Sequence, residues 1–187
     1  MPRSWKTLGS RYLYQSRWFS VRQDDVRLDD TDLTYTFVEH PGYAMVVPLL
    51  DDGRVLLEKI YRYSIQDVLL ECPSGGLDGE QPEVAARREL REETGWVAER
   101  LDPLGSFYAS HGISDERFFV YLATELRDTG QVQREVTEDI ELAFVPFGEA
   151  VAMAGDGRIL SAPTCLSIFL AVRSDTARAI AARAGTL

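Results

Sequence analysis

The sequence contains little cysteine, no long apolar run and a deficit of basic charge. Its two cysteines, Cys72 and Cys165, match neither a CxxC motif nor a zinc-binding spacing, so both are expected to be reduced, buried side chains. No run of about 18 apolar residues is present, and the first residues contain no apolar signal-peptide core. These absences predict a cytoplasmic protein that does not span a membrane.

Basic residues are outnumbered by acidic ones. Lys and Arg total 20 against 30 Asp and Glu, and the formal net charge is -10. An acidic chain gains nothing from counterion release on a phosphate backbone, so a general nucleic-acid partner is not expected. Acidity is compatible with a cation-binding site and equally with ordinary solubility. With 45% hydrophobic residues in 187, the chain can form one domain with a core.

The N-terminal residues 1–40 differ in character from the rest. Strands are predicted from Trp18 and from Leu33, and the intervening Asp29–Asp32, "DDTD", is a turn signal, so the two form a hairpin. Exposed aromatic side chains are expected in this part at Trp5, Tyr12, Tyr14 and Trp18. We predict an N-terminal β subdomain at residues 1–40, which could serve in dimerisation and base binding.

Residues 41–187 are predicted to form the main domain, in which strands interleave with helices. Strands are expected from Tyr43, Arg54, Val68, Glu116 and Ile140. One helix is predicted over Pro82–Thr94, because Pro82 suits a first helical position and Gly95 suits the residue past the end. A single terminal helix is predicted from an N-cap at Ser161. The fold class is therefore α/β (α+β) with a mixed sheet.

The stretch "RRELREETGW", residues 87–96, concentrates charge on the first of these helices. Helical spacing places Glu89, Glu92 and Glu93 on one face, where like charges repel. A bound Mg²⁺ would offset the repulsion between the carboxylates, because hard cations bind carboxylate oxygens. The three arginines of the same stretch could instead neutralise the glutamates on a solvated helix surface. Spacing alone leaves both interpretations open.

The longer stretch around these glutamates resembles the Nudix box, the signature of hydrolases that cleave nucleoside diphosphates linked to another moiety. Seven of the nine pattern positions are matched in register, namely by Glu80, Arg88, Glu89, Leu90, Glu92, Glu93 and Gly95. Ser74 stands at the first position instead of glycine, and Trp96 stands at the last instead of an aliphatic residue. The resemblance implies a Nudix fold, in which a mixed β-sheet lies sandwiched between helices.

The resemblance also implies a metal site. Glu89 and Glu93 would bind the metal, with Glu92 as a third ligand or through a water molecule. Arg88 would hold a glutamate by an ion pair and take part in catalysis together with Glu92, and Glu80 would support the loop or the metal shell. The loop before the helix, which would support the same site, contains Ser74, Gly75 and Gly76. The implied cofactor is Mg²⁺, with Mn²⁺ as a substitute.

Outside the box, the chain resembles the ADP-ribose pyrophosphatase branch of this family. "EKIYRYSIQDVLLECPSGGLDGE" keeps the branch's arginine as Arg62 and its glutamate as Glu71, which are expected to contact substrate. Arg62 could equally be a structural arginine. In "SFYASHGISDERFFVYLAT", His111 stands where that branch often has proline, and Glu116 follows it. Both are expected near substrate, although His111 could also be an ordinary loop residue.

The catalytic base is expected in the acidic segment "QREVTEDIEL". By the resemblance, Glu138 is the first choice and Glu135 the reserve, although both could be plain solvated charges. The implied reaction is Mg²⁺-dependent hydrolysis of a pyrophosphate bond in ADP-ribose or another nucleotide sugar, giving a nucleoside monophosphate and a sugar phosphate. A dinucleoside polyphosphate, a dinucleotide cofactor, or a non-catalytic nucleotide-binding module are the alternatives. A homodimer is expected, with Trp5, Tyr14 or Trp18 stacked on the base.

Overall fold

A computed structural model describes residues 4–134 and 139–187. Its strands are β1 (Trp5–Gln15), β2 (Ser20–Leu28), β3 (Thr31–Glu39), β4 (Tyr43–Pro48), β5 (Arg54–Arg62), β6 (Asp67–Glu71), β7 (Ser74–Gly76), β8 (Trp96–Tyr108), β9 (Arg117–Asp128) and β10 (Ile140–Pro146). Its helices are α1 (Pro82–Thr94), α2 (Phe147–Asp156), α3 (Ala162–Val172) and α4 (Asp175–Ala184). The chain divides into two compact units.

The first unit comprises Met1–Gly42 and Phe107–Phe118. Its strands form an antiparallel sheet in the order β1-β2-β3. The predicted hairpin is confirmed as β2–β3, which turns at Asp29 in a left-handed conformation (φ 54°). Sequence reasoning missed β1, because all eleven of its residues are exposed and none of the usual in–out alternation is present.

The second unit comprises Tyr43–Ser106 and Phe119–Leu187. It contains the three-stranded sheet β10-β5-β6 and most of the four-stranded sheet β7-β4-β9-β8. Neighbouring residues of β4 face opposite sides: Ala44 and Val46 join the core cluster of α1, whereas the Met45 sulfur contacts the Ser167 hydroxyl of α3 at 3.2 Å. Helices therefore cover both faces of β4, and the predicted α/β architecture with a sheet between helices is confirmed.

Helix α1 has the predicted bounds. Pro82 occupies the first turn, and Gly95 ends the helix in a left-handed conformation (φ 79°) while its N–H donates to the Arg91 carbonyl at 2.9 Å. Three apolar residues of the helix are fully buried; they are Ala85, Ala86 and Leu90. Burying one side of α1 fixes which of its glutamates face the protein.

Two expectations for other elements are corrected. The single terminal helix is two helices, because Ser174 is extended (ψ 130°) and its side chain caps α4 by accepting from the Ala177 N–H. Strand β8 was not anticipated, since Pro103 and Gly105 interrupt its pattern.

The two cysteines differ in their exposure to solvent. Cys72 is buried and Cys165 half-buried, so only one of the two matches the predicted burial; both are free thiols. In the described ranges, each helix is too short or too polar to cross a bilayer.

Candidate active site

The box glutamates differ in their surroundings although they lie on one helix. Glu89 and Glu93 are only 7% and 3% exposed, since they flank the buried side of α1, whereas Glu92 is half-buried. Glu93 Oε2 accepts a hydrogen bond from the Ser74 N–H at 2.9 Å. The first residue of β7 thus contacts the last glutamate of the box, and two buried carboxylates stand one turn apart on α1.

Gly75 lies against the carboxylate of Glu89. A Cβ atom at this position would stand 2.1 Å from Glu89 Oε1 and 2.6 Å from Oε2, well inside van der Waals contact. Gly75 is held there because it pairs with Ala44 of β4 across the β7–β4 ladder. Any residue larger than glycine would displace the carboxylate, so the sheet and the helix together define the space that Glu89 occupies.

Arg88 joins the loop to the glutamates. Its guanidinium donates to Glu80 at 2.9 Å, to Glu89 at 2.6 Å, to Glu92 at 3.3 Å and to the Gly76 carbonyl at 2.8 Å. Burial lowers the pKa of Arg88, but the hydrogen bond that Arg88 donates to Glu80 and its contacts with Glu89 and Glu92 outweigh burial, so the net pKa is raised. Arg88 therefore stays charged and ties the loop to α1.

A second acidic group surrounds Arg62. The guanidinium of Arg62 binds both oxygens of Glu71, at 3.0 and 2.9 Å, as a bidentate pair. The hydrogen bond to Glu71 raises the pKa of Arg62 against desolvation, with further contributions from the charges of Glu93 and Glu58. Glu58 is buried on β5, directly opposite Glu71 of β6. Sequence reasoning missed Glu58, which the register of these two strands brings into this group.

The donor set of α1 suits a hard divalent cation, because it offers carboxylate oxygens and neither thiolate nor imidazole. The glycine cradle at Gly75 leaves Glu89 room that a side chain would fill. Among residues 4–134 and 139–187, no three acidic, histidine or cysteine side chains converge into a ligand set. Arg88 supplies the positive charge in this arrangement, so a cation would compete with it for Glu89 and Glu92.

His111 and Glu116 belong to the first unit. His111 is exposed and lines a cavity of about 140 Å³ together with the rings of Tyr35 and Phe37. Glu116 Oε1 lies 3.6 Å from His40 Nε2. The His40 Nδ1 atom accepts from the Gly42 N–H at 3.0 Å, which leaves Nε2 to carry a proton toward Glu116. Substrate contact by His111 and Glu116 stays a prediction.

Glu135 and Glu138, the predicted bases, lie outside the described residues. The residue before them, Arg134, was not singled out from the sequence. Its Nε donates to the Glu93 carbonyl and its Nη1 to the Ile140 carbonyl, both at 2.7 Å. The signal that could have found Arg134 is that it is the basic residue of the acidic segment, directly before Glu135.

Two family models match this chain. The family model of the NUDIX domain matches residues 39–163, and that of the nucleoside diphosphate sugar hydrolase N-terminal domain matches residues 5–30. The ADP-ribose pyrophosphatase of Bacillus subtilis (strain 168) is 32% identical, covering 87% of this chain and 90% of that protein. The ADP-ribose pyrophosphatase of Mycobacterium tuberculosis is 35% identical, covering 83% and 77%.

Two further similarities widen the comparison. The GDP-mannose pyrophosphatase of Yersinia pestis is 36% identical, covering 82% of this chain and 85% of that protein. A crystal structure of an ADP compounds hydrolase superposes with a TM-score of 0.78 at 23% identity, covering 90% of this chain and 92% of that one. At this identity, the match to the ADP compounds hydrolase shows a shared fold.

Proposed function

The chain belongs to the NUDIX family of hydrolases, and we propose that it hydrolyses ADP-ribose to AMP and ribose 5-phosphate with Mg²⁺ as its cofactor. The observation that carries the chemistry is the pair of buried carboxylates, Glu89 and Glu93, beside the glycine cradle of β7. The choice of substrate rests on two relatives, both ADP-ribose pyrophosphatases, which match 87% and 83% of this chain.

The proposed reaction forms a bond between a water oxygen and one phosphorus, and the bridging oxygen leaves with the other phosphoryl group. Glu89 and Glu93 would hold a divalent cation, with Glu92 as a third or water-mediated ligand. Such a cation, when bound, offsets negative charge on the pyrophosphate oxygens and acidifies water. Mn²⁺ offers a similar preference for oxygen ligands and is the expected substitute.

The remaining residues act by orientation and proton transfer. Arg88 holds Glu80 and the Gly76 carbonyl, and so keeps the loop beside α1. Arg62 and Glu71 hold each other in one orientation through their bidentate pair. In that orientation Glu71 would accept from a ribose hydroxyl, and Arg62 would contact a ribose hydroxyl or a phosphate. Glu138, with Glu135 as the reserve, would take the proton from the attacking water.

Trp18 is the aromatic that we propose to contact the base. The guanidinium of Arg17 stacks on the Trp18 ring at 3.8 Å, and the ring borders a cavity of about 270 Å³ with Glu39 and His40. This cavity combines a π-surface with polar groups that can meet the edge of a base, in keeping with aromatic stacking of about 1–3 kcal/mol per base. Trp5, by contrast, contacts the edge of Tyr35.

GDP-mannose is the second candidate substrate, because the Yersinia pestis relative that is 36% identical is a GDP-mannose pyrophosphatase. Both substrates contain the same pyrophosphate link between a nucleoside and a sugar. They differ in the base and in the sugar, so the α1 site serves either, and the contacts of the base and sugar decide between them. Dinucleoside polyphosphates and dinucleotide cofactors share the link as well.

The first unit supplies the argument for a homodimer. Every residue of β1 is exposed, including five large apolar or aromatic side chains: Trp5, Leu8, Tyr12, Leu13 and Tyr14. An edge strand with such a surface is a ready interface for a second copy of the chain. Light scattering at micromolar concentration should therefore give twice the 21.0 kDa mass of one chain. We also propose a cytoplasmic location, where the two free cysteines would stay reduced.

A substrate panel tests this proposal. The panel contains ADP-ribose, GDP-mannose, a dinucleoside polyphosphate and a dinucleotide cofactor, each with Mg²⁺ or Mn²⁺, and the measurement is the release of a nucleoside monophosphate. We expect the highest kcat/KM for ADP-ribose. Higher kcat/KM for GDP-mannose would replace the substrate, and inactivity on the whole panel would make the chain a non-catalytic nucleotide-binding module.

A further inference from the structure

Residues 72–74, at the junction of β6 and β7, are held by side chains of two helices. The middle residue of this segment is a proline, so the segment contains only two backbone N–H donors. The Cys72 N–H donates to the Thr164 hydroxyl of α3 at 3.1 Å. The Ser74 N–H donates to Glu93 Oε2 of α1 at 2.9 Å. Since α1 and α3 cover opposite faces of β4, the segment is bound from both sides.

The segment also connects the two acidic groups of the site. Glu71, which forms the bidentate pair with Arg62, directly precedes it. Gly75, which adjoins the Glu89 carboxylate, directly follows it. Between them, the Val46 N–H of β4 donates to the carbonyl of the proline at 2.9 Å. Hydrogen bonds to α1, α3 and β4 thus fix the segment, and a shift of its backbone would disturb both acidic groups.

Thr164 is itself held in the first turn of α3. Ser161 caps this helix, and the Ser161 hydroxyl accepts from the Thr164 N–H at 3.5 Å. A β-branched side chain in a helix has few χ1 rotamers. Thr164 is fully buried and Cys72 is 1% exposed, so bulk water does not reach the contact between them. The Thr164 hydroxyl is therefore the acceptor on which the buried Cys72 N–H depends.

We propose that Thr164 is a positioning residue for the metal site, which sets the place of the Ser74 N–H and thereby the orientation of the Glu93 carboxylate. The inference rests on the proposed function, in which Glu93 binds the cation. Thr164 acts through residues 72–74 from the opposite face of β4. Without its hydroxyl, the Cys72 N–H would be buried without an acceptor, which favours a shift of the segment. Glu93 then loses its fixed orientation, and cation affinity falls.

Three variants of α3 test the proposal. Thr164→Val keeps the branched shape of the side chain and removes the acceptor, whereas Thr164→Ser keeps the acceptor and removes a methyl group. Ser167→Ala is the matched control, because Ser167 lies one turn later on α3 and is equally buried. Its hydroxyl contacts Met45 and Pro163 and not residues 72–74. All three substitutions should lower the melting temperature, so lost stability alone cannot explain a difference between them.

Metal binding without substrate is the first measurement. A Mn²⁺ titration followed by EPR should give a dissociation constant about tenfold higher for Thr164→Val than for the wild type, since groups that orient a metal ligand contribute about 10–100-fold to affinity. Thr164→Ser and Ser167→Ala should stay within about threefold of the wild type. The Mg²⁺ concentration that half-activates AMP release should shift in parallel. Unchanged Mn²⁺ affinity in Thr164→Val, or an equal loss in Ser167→Ala, would overturn the proposal.

Hydrogen exchange separates this proposal from the proposed function. The Ser74 amide should exchange about tenfold faster in Thr164→Val than in Ser167→Ala, and Thr164→Ser should restore the slower rate. Equal exchange of Ser74 in Thr164→Val and Ser167→Ala contradicts the positioning role, whatever the substrate. If the wild type is inactive on the whole panel, while Thr164→Val shows weaker Mn²⁺ binding and faster exchange, only the proposed reaction is refuted.

Discussion

Replacing Gly75 with alanine tests how the site is built, because it adds one methyl group beside a predicted metal ligand. The added Cβ would lie 2.1 Å from Glu89 Oε1 and 2.2 Å from Glu89 Cδ. Ordinary contact begins near 3.4 Å, so the Glu89 carboxylate must move by about 1.3 Å. Metal–ligand distances tolerate only about 0.2 Å. The substitution should therefore remove Glu89 from the ligand set.

The same substitution should leave the fold intact. The obstructing atoms are the end of a flexible side chain, which can turn away at little cost. Alanine in a strand also reduces the entropy of the unfolded chain, which stabilises by about 0.4–1 kcal/mol where the backbone permits. We expect the melting temperature of Gly75→Ala to stay within about 5 °C of the wild type, while kcat falls about 100-fold.

The assay is nucleoside monophosphate release from ADP-ribose at saturating Mg²⁺, together with thermal unfolding. Gly76→Ala is the matched control, because a Cβ there would approach the Asp78 side chain no closer than 3.4 Å, an ordinary contact distance. The control also keeps the Gly76 carbonyl that accepts from Arg88. Full activity of Gly75→Ala, or an equal loss in Gly76→Ala, would refute the argument that Gly75 makes room for the Glu89 carboxylate.

Further predictions concern ligands, base contacts and pH. Arg62→Lys should raise KM about tenfold in steady-state assays, because one ammonium cannot replace the bidentate pair. Trp18→Ala should raise KM by about 5-fold or more, with Trp5→Ala as control; equal effects would contradict the assignment. Burial raises the pKa of Cys72, so the unfolded thiol ionises first as pH rises. The free energy of unfolding, measured in denaturant, should then fall above about pH 8.5 by up to about 1.4 kcal/mol per pH unit. Cys72→Ala should reduce that slope, and an unchanged slope would contradict its cause.

Helix α1 could be predicted from sequence because its signals are local. Proline at the start, glycine at the end and a repeated apolar spacing specify its bounds without knowledge of the rest of the chain. The glutamate spacing and the resemblance to the box then name the candidate ligands. Strands β1 and β8 could not be predicted, because β1 is exposed on every residue and β8 contains Pro103.

The contacts that complete the site are tertiary and leave little local trace. Glu58 joins Glu71 only through the register of β5 and β6, and Arg134 reaches Glu93 across 41 positions of sequence. Position 75 is a glycine because the Glu89 carboxylate of α1 leaves no space for a Cβ atom. This reason depends on how α1 packs against β7, which the local sequence does not specify. Sequence reasoning therefore found the helix and its glutamates, and the structure was needed for the residues that hold them in place.

The central claim is that the carboxylates of α1 carry a metal-dependent hydrolysis of ADP-ribose. Its most direct test is ³¹P NMR of ADP-ribose with the wild type and Glu93→Gln, each with Mg²⁺ and with a chelator. Glu83→Gln, on the exposed side of the same helix, is the matched control. We predict AMP and ribose 5-phosphate from the wild type and Glu83→Gln with Mg²⁺ only, and at least about 100-fold less from Glu93→Gln. An undiminished rate in Glu93→Gln, or with the chelator, would contradict the claim.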